Sequence, residues 1–369
     1  MRLDESNTVL TIDLIAQTPM IHFQYEQEGA TLRASDVKPR LDNYLIHVLK
    51  CTDNLDDSCF LTINSLDYKM KIREISKGKS VKVGRANHKK DKWCNTYWGD
   101  IDCALVRNCK ITIICFHKKL MEIIMENIDA FFNIYNFGTM QSKAFGGFST
   151  LKYSSKLTLA QIKTIGKKLK ETYQCKTYYY VNIDKYDEIF EFIDEFYKGM
   201  KADTYFNNKD TGKKEKYDSY LNYYLGKVDS NEKVAIKEFA KKIQHSDKEK
   251  TLVFKDNRLY LRSLLGLAST MDVKLDKQSY KFVISNKNIE RCQSPIYFKY
   301  IGKYLFIIAK QIPDIYDKEF KFTYKSKNKE ESEKTLILKS PSKDMLDIDD
   351  FLEKYISEDY GDENIKKGE

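Results

Sequence analysis

The sequence predicts an α+β protein made of two tandem ferredoxin-like domains of the RRM type. A chain of 369 residues with 42% hydrophobic residues is longer than one ordinary domain and can build two cores. In the first half, the hydrophobic period changes in the order strand, helix, two strands, strand, helix, which is typical of a split β-α-β domain. A second series of strand and helix periods follows in the second half of the chain. We therefore expect an N-terminal domain at residues 1–155, a second domain at 156–338 and an acidic mobile tail at 339–369.

The N-terminal domain begins with an apolar segment, residues 9–20, which we expect to be a central strand because apolar residues occupy both of its faces. A helix follows from Asp36, with Ser35 or Asp36 as its cap and Pro39 tolerated in the first turn. Residues 76–99 are basic and lack a clear period, which indicates a loop or insertion. The other predicted elements are strands at 60–66, 67–75 and 109–115 and a helix at 117–135.

The second domain carries more helices than a minimal ferredoxin-like domain, and we interpret these as insertions. Residues 258–265 fit a strand or a helix equally well. A hairpin of 318–327 and 333–340 closes the domain, and the tail holds one short helix near 349–356. The remaining predicted elements are helices at 158–174, 185–201 and 231–244 and strands at 175–183, 280–286, 295–301 and 303–312.

The formal charge is +9, but it is unevenly distributed. Residues 340–369 hold ten acidic residues and four lysines, so the rest of the chain is more basic than the total suggests. A basic body is typical of proteins that bind a polyanion. A lysine-rich composition with few prolines gives the same charge without such a partner, and charge alone leaves both interpretations open.

The sequence has no apolar run of about 18 residues, so we expect no membrane span. Its eight cysteines include no C-x-x-C pair. His88, Cys94, Cys103 and Cys109 do not follow a usual zinc-ligand spacing. We therefore expect free thiols in a reducing cytoplasm, no bound metal and no membrane partner.

The start of the first helix carries cations, which is unfavourable because the helix dipole places partial positive charge at that end. The residues concerned are Arg33, Lys38 and Arg40. Two explanations remain open at this point. The side chains reach into water, or an anion binds among them.

A glycine-rich loop at 138–147 follows the predicted second helix. Glycine lets backbone amides approach a ligand closely, and successive amides form anion-binding concavities. The spacing does not match a Walker A loop or a dinucleotide fingerprint, so we expect no nucleotide cofactor. A helix C-cap followed by a tight turn is the alternative interpretation. The glycines and polar residues of this loop are Gly138, Gln141, Lys143, Gly146 and Gly147.

Two later stretches, RLYLRSLLGL at 258–267 and ERCQSPIYFKYIGKYLFIIAK at 290–310, are apolar segments with scattered cations when each is taken alone. Together with the start of the first helix and the glycine-rich loop, they form an ordered set of motifs along the chain. The motif segments are Thr18-Pro19-Met20, Leu32-Arg33-Ala34-Ser35-Asp36-Val37-Lys38, the loop at 138–147, Arg262-Ser263-Leu264-Leu265-Gly266-Leu267 and Arg291-Cys292-Gln293-Ser294-Pro295-Ile296 with Lys299. With this set, the chain resembles the RAMP superfamily of CRISPR effector subunits, and most closely the first Cmr subunit of type III-B complexes.

The resemblance implies a non-catalytic RNA-binding subunit of a type III CRISPR ribonucleoprotein effector, which contacts the backbone of crRNA or target RNA in antiviral defence beside other effector subunits. In such folds, the start of the first helix and the glycine-rich loop lie on the face that meets RNA, and sequence is read by guide–target pairing. The expected RNA-binding residues are His22, Arg33, Lys38, Arg40, Gly138, Gln141, Lys143, Gly146, Gly147, Arg262, Arg291 and Lys299.

Other chemistry remains open. Some RAMP relatives process CRISPR transcripts without metal by using a histidine near the first helix, and His22 or His47 would then be the general acid or base. The acidic stretch at 53–57 could hold a metal ion, although a solvated loop is the preferred interpretation. The strand YYYVN at 178–182 resembles the base-stacking strand of an RRM, although ordinary sheet packing is favoured.

Overall fold

A computed structural model describes residues 1–21, 32–53, 55–83, 101–185, 188–207, 214–226, 232–246, 251–275, 278–289, 292–324 and 333–368. The fold mixes helices with several sheets and divides into two compact units. Unit 1 comprises Met1–Asp194, Tyr297–Ala309 and Glu363–Glu369, and unit 2 comprises Glu195–Ile296 and Lys310–Asp362.

The helices and strands follow one another along the chain with these bounds. The α-helices are α1 (Ala34–Asn43), α2 (Lys118–Ile134), α3 (Leu159–Tyr173), α4 (Glu188–Lys201), α5 (Tyr220–Tyr224), α6 (Glu232–Gln244) and α7 (Ile348–Lys354). Shorter 3-10 or π turns lie at Tyr44–Val48, Asp57–Cys59, Leu151–Tyr153, Leu261–Leu265, Lys343–Met345 and Tyr355–Tyr360. The strands are β1 (Arg2–Leu3), β2 (Val9–Ala16), β3 (Phe60–Thr62), β4 (Ser65–Leu66), β5 (Lys69–Val83), β6 (Ile101–Ile114), β7 (Phe148–Thr150), β8 (Tyr178–Asn182), β9 (Thr204–Asn207), β10 (Lys214–Tyr217), β11 (Leu252–Leu259), β12 (Thr270–Leu275), β13 (Gln278–Ser285), β14 (Ile296–Ile301), β15 (Tyr304–Ala309), β16 (Glu319–Tyr324), β17 (Lys334–Lys339) and β18 (Lys366–Lys367).

The first sheet of unit 1 is built around β2, which pairs with β6 along one edge and with β1 and β7 along the other. β5 continues the sheet beyond β6, and these pairings are antiparallel. Leu10, Ile12 and Leu14 alternate along β2 and are fully buried, as a half-buried strand requires. They belong to one core with the apolar faces of α1 and α2. The sheet therefore holds the start of α1 and the end of α2 in fixed places.

The second sheet of unit 1 has the order β14-β15-β8-β18. Every residue of β14 is buried, which matches a sequence that is apolar except for Lys299. α3 packs against this sheet and begins at a capping box, in which the Thr158 side chain and Gln161 satisfy each other's backbone amides. The core of this sheet is continuous with that of the first sheet.

Unit 2 contains a five-stranded sheet of order β11-β17-β16-β13-β12, in which β11 runs parallel to β17 and the other pairings are antiparallel. α6 buries Ile236, Phe239 and Ile243 against it at helical spacing. The stretch at 258–265, which fitted either element, ends β11 and continues as the 3-10 turn Leu261–Leu265.

Several boundaries differ from the expectation. The predicted break between residues 155 and 156 falls inside unit 1, because β8 pairs with β15 from much later in the chain. The predicted loop at 76–99 is strand up to Val83, while residues 84–100 lie outside the described part. The N-cap of α1 is Arg33 rather than Ser35 or Asp36.

The segment at 339–369, expected to be a mobile tail, carries defined elements. Asp347 caps α7 by accepting hydrogen bonds from Asp349 N and Asp350 N. Phe351 and Leu352 of this helix are buried, Asp349 and Asp350 are partly buried, and Glu353 is exposed. β18 then pairs with β8 in unit 1. An acidic composition therefore does not prevent the described part of this segment from forming packed elements.

Candidate nucleic-acid interface

The segment that follows β2 is hydrogen-bonded to the glycine-rich loop. Thr18 Oγ1 donates to Ala144 O at 2.5 Å and accepts from Gly147 N at 2.8 Å. Gly146 N donates to Pro19 O at 2.7 Å. Both Thr18 and Gly147 are buried, so these bonds lie inside the fold. The Thr-Pro motif and the Gly-Gly pair are thus joined by hydrogen bonds, although they lie far apart in the sequence.

Glycine is required at the end of this loop. Gly146 has a φ of +72°, and a Cβ there would lie 1.8 Å from Phe137 O. A Cβ on Gly147 would lie 2.9 Å from Thr18 Oγ1. The loop therefore approaches the neighbouring backbone too closely for any other residue.

The loop amides were expected to form an anion-binding concavity, but several donate within the protein. Phe137 N donates to Gly146 O, Thr139 N to Ile21 O, and Lys143 N to Met140 O. The amides of Gly146 and Gly147 are also used internally. These bonds favour the alternative of a turn that ends α2, and they leave the side chains as the main groups for contact.

Arg40 brings α1 and the glycine-rich loop together. Its Nη1 donates to Asn136 O at 2.8 Å and to Gln141 Oε1 at 2.9 Å, and the guanidinium lies 5.5 Å from the centre of the Phe137 ring. Both hydrogen-bond acceptors are neutral. Among the residues that the structure describes, no carboxylate pairs with Arg40, so its charge is not neutralised there.

Asn136 anchors the loop to the second sheet. Its side-chain nitrogen donates to Gln141 O at 2.7 Å and to Phe298 O at 2.9 Å, while its backbone N donates to the Tyr297 hydroxyl at 2.9 Å. Phe298 N in turn donates to Ser142 O. Sequence reasoning missed Asn136, although an asparagine directly after a helix and before Phe-Gly signals a turn.

Lys38 has a different environment from Arg40. Its Nζ lies 2.8 Å from Asp42 Oδ2 and donates to Leu66 O at 2.9 Å, with the Tyr68 ring 4.4 Å away. The Asp42 side chain is 2% exposed. Lys38 therefore neutralises a buried carboxylate and joins α1 to β4, which leaves it poorly suited to the phosphate contact expected of it.

Lys299 lies in the core of unit 1 and is fully buried. Its Nζ donates to Tyr135 O at 2.6 Å, just beyond the end of α2. Burial lowers the pKa of this lysine well below its usual range. A contact with RNA does not fit this position, and we interpret Lys299 as a support for the loop.

The other cations of this region are nearer to solvent. Arg33, the N-cap residue of α1, is exposed, and Lys143 is partly exposed. Gly138 and Gln141 are also partly exposed. Arg33, Arg40 and Lys143 are therefore the side chains of this region that best fit the expected contact with an anion.

The two later motifs adjoin each other within unit 2. Gly266 has a φ of +107°, and a Cβ there would lie 3.1 Å from Ser294 N. Leu267 N donates to Cys292 O at 3.1 Å. The motifs thus form one packed corner.

Arg262 belongs to that corner through an ion pair. Its Nε lies 3.1 Å from Glu232 Oε1, and Glu232 is buried. Burial raises the pKa of Glu232, while the charge of Arg262 opposes that shift. Arg262 thus neutralises a buried carboxylate. His22 and Arg291, the other two predicted contacts, lie outside the described residues.

The residues considered for catalysis or metal binding are dispersed. His47 is exposed, with Nε2 2.9 Å from Asn64 Oδ1. Asp53, Asp56 and Asp57 are exposed, as a solvated loop requires. Within the described ranges, no three or more His, Cys, Asp or Glu side chains are arranged to hold a metal ion. Of the helices that the structure describes, none has the length and apolar character needed to cross a membrane.

Family comparisons cover almost the whole chain. The Cmr1 N-terminal domain matches residues 7–204, and the Cmr1 C-terminal domain matches residues 216–368. Among solved structures, the crystal structure of Cmr1 from Pyrococcus furiosus in its apo form is similar, with a TM-score of 0.45 and 10% sequence identity, over 97% of this chain and 98% of that one. No curated protein matches the sequence.

Proposed function

The chain belongs to the Cmr1 family, and from that premise we propose that it is a non-catalytic RNA-binding subunit of a type III-B CRISPR effector complex. In this role it contacts the backbone of crRNA or target RNA in the cytoplasm and serves antiviral defence beside other effector subunits. The family membership supports the place in the complex. The RNA contact is supported by the arrangement of side chains in unit 1.

The observation that carries the RNA contact is the position of Arg40. It lies where α1 meets the glycine-rich loop, and its described partners are neutral. A guanidinium held by neutral acceptors keeps its charge, and its remaining N–H groups suit the fork-shaped contact that arginine makes with phosphate. Arg40 is also rigidly placed, because Asn136 fixes the loop that holds it.

We assign Arg33, Arg40 and Lys143 as the phosphate contacts of this surface, and we call these three residues the cationic surface. Lys38 and Lys299 are supports that hold α1 and the end of α2. Backbone phosphates carry no sequence information, so this surface would bind RNA without reading its bases. Its affinity should fall steeply with salt.

The strand order of the first sheet supports a ferredoxin-like N-terminal domain. With β2, β5, β6 and β7 as its four main strands, the spatial order is fourth, first, third, second, and α1 and α2 are the two crossover helices. That is the arrangement of a split β-α-β domain.

The test uses two matched double charge reversals. Arg33→Glu with Lys143→Glu reverses two of the three charges of the cationic surface and leaves Arg40 and Lys38 unchanged. Lys118→Glu with Lys119→Glu makes the same change in charge at exposed positions at the start of α2. The glycine-rich loop follows the other end of this helix, and its 17 residues separate the two ends by about 25 Å. Acidic residues also suit that helix start. Fluorescence anisotropy of a labelled single-stranded RNA, measured over a series of salt concentrations, reports affinity and salt dependence.

We expect the first pair to weaken binding at least about tenfold and to reduce the slope of log affinity against log salt by about 1.4, since each lost phosphate contact on a single strand contributes about 0.7. The control pair should change binding much less. Equal losses in the two proteins would mean that only net charge matters and would overturn the assignment of this surface.

A further inference from the structure

Unit 1 contains a cleft whose lining shares no residue with the cationic surface. It has a volume of about 450 Å³ and lies between the first turns of α3, the ends of β8 and β15, and the segment leading into β18. Its lining includes Lys156, Tyr180, Asn182, Tyr304, Glu363 and Lys366. The volume falls within the range of about 300–1,000 Å³ that is common for ligand sites.

The wall of the cleft is aromatic because of the strand register. Tyr304 lies opposite Asn182, and Lys366 lies opposite Tyr180. Residues directly opposite each other in antiparallel strands share a face, and so do residues two apart along one strand. Tyr180, Asn182, Tyr304 and Lys366 therefore project on the same side of the sheet.

The two tyrosine rings differ from their neighbours in exposure. Tyr178, on the same face of β8, is 1% exposed and packs inside the core. Tyr180 and Tyr304 are only partly buried, with ring centres 6.2 Å apart and planes at 63°. At that angle, a flat ring can stack on one tyrosine and meet the edge of the other, at the end of a buried aromatic row.

The rim of the cleft is polar and carries both signs of charge. Lys156 and Lys366 are exposed and positive, while Glu363 is exposed and negative. The amide of Asn182 offers both donors and an acceptor. A fully anionic ligand would meet Glu363, whereas a ligand with a flat ring, one phosphate and free hydroxyl groups would find a partner for each part.

We propose that this cleft binds one nucleotide of a single-stranded RNA, with its base on Tyr180 and Tyr304 and its phosphate near Lys156 or Lys366. Glu363 accepts a hydrogen bond from a ribose hydroxyl, and this contact favours RNA over DNA. The proposal rests on the function proposed above, because it assigns a base-stacking site to the same RNA-binding unit. It differs from the cationic surface, which contacts phosphates alone.

The experiment uses the full chain and a short single-stranded RNA that carries thiouridine. Photocrosslinking followed by peptide mapping identifies the side chains that contact a base, and anisotropy measures affinity. Tyr304→Leu and Tyr180→Leu remove the rings, while Tyr180→Phe keeps a stacking ring and controls for folding. Lys156→Ala is compared with Lys167→Ala, since Lys167 lies on α3 away from the cleft and is 76% exposed. DNA of the same sequence and free uridine monophosphate are the ligand controls.

We expect crosslinks at Tyr180 or Tyr304, an affinity loss of about tenfold for each leucine variant, and near-normal binding by Tyr180→Phe. DNA should bind more weakly than RNA. RNA binding that gives no crosslink here and is unaffected by either leucine variant would overturn this site and leave the proposed function standing. An absence of RNA binding by the unaltered protein would overturn both. Tighter binding of free uridine monophosphate than of the RNA would assign the cleft to a free nucleotide and overturn the RNA assignment.

Discussion

Arg40 Nη1 donates a hydrogen bond of 2.9 Å to Gln141 Oε1, and this bond joins the first helix to the glycine-rich loop. The two residues lie far apart in the sequence. Arg40 belongs to the last turn of α1, where the helix dipole favours a cation, whereas Arg33 is the N-cap residue and lies at the helix start.

That contact predicts the behaviour of Gln141→Glu. The new carboxylate would form an ion pair with Arg40 and neutralise its charge. We expect RNA affinity to fall about threefold to tenfold and the salt slope to fall by about 0.7. Thermal stability should change little, because the new ion pair offsets the loss of the hydrogen bond that Gln141 Nε2 donates to Gly138 O. Gln141→Ala, which removes the acceptor without adding charge, is the matched control. Equal affinity for the two variants would show that the charge of Arg40 does not contact RNA.

Lys38 should affect folding rather than RNA binding. Lys38→Met leaves the Asp42 carboxylate buried without its cation, and we expect the free energy of unfolding to fall by about 3–5 kcal/mol. Lys38→Met with Asp42→Leu should recover most of this loss, because neither charge is then buried alone. Urea denaturation measures both. A double variant no more stable than Lys38→Met would argue against the ion pair.

Gly146 provides a steric prediction with an internal control. Gly146→Ala places a Cβ 1.8 Å from Phe137 O, and we expect a loss of about 3–5 kcal/mol in stability. Gly226 also has a positive φ, +60°, but no described atom lies within 4 Å of a Cβ built there. Gly226→Ala should therefore lose only about 1 kcal/mol, from backbone strain. Similar losses at both positions would contradict the close approach at the loop.

Lys299 gives a pH dependence with a definite sign. Burial lowers its pKa in the folded protein, so between that value and lysine's ordinary pKa the unfolded chain binds more protons than the folded one. Stability from this group therefore rises as pH increases through that window. We expect the unaltered protein to gain more stability between about pH 7 and about pH 9 than Lys299→Met does. Denaturation at the two pH values decides this, and parallel changes would contradict it.

The competing function, metal-independent cleavage of CRISPR transcripts, has a direct test. We expect repeat RNA to remain intact when incubated with the protein in EDTA, because His47 is exposed beside Asn64 and is not part of a described catalytic cluster. Cleavage that is lost in His47→Ala or His22→Ala would overturn the non-catalytic assignment.

The bounds of α2 and α3 could be predicted because the residues that start and end a helix are its neighbours in the sequence. The helix expected at 158–174 is observed as Leu159–Tyr173, and its start follows from the capping box of Thr158 and Gln161. The helix expected at 117–135 is Lys118–Ile134. The family resemblance, which rested on ordered motifs, is confirmed by the matches to both Cmr1 domains.

The partners of the cations were harder to predict, although some signals were present. Asp42 stands four residues after Lys38, the spacing of a helical ion pair. Lys299 lies within a strand whose other residues are all apolar or aromatic, a pattern that indicates burial on both faces. The ion pair of Arg262 with Glu232 left no such signal, because a 3-10 turn and a helix start meet only in the folded chain.

The order of synthesis has a consequence for how this protein assembles. β8 is translated early, but the strands that flank it, β15 and β18, belong to residues 304–309 and 366–367, after most of unit 2 has been made. A ribosome-bound nascent chain therefore exposes both edges of β8 until those later residues emerge. During that interval, we expect the unpaired aromatic strand YYYVN to be prone to aggregation and to bind chaperones.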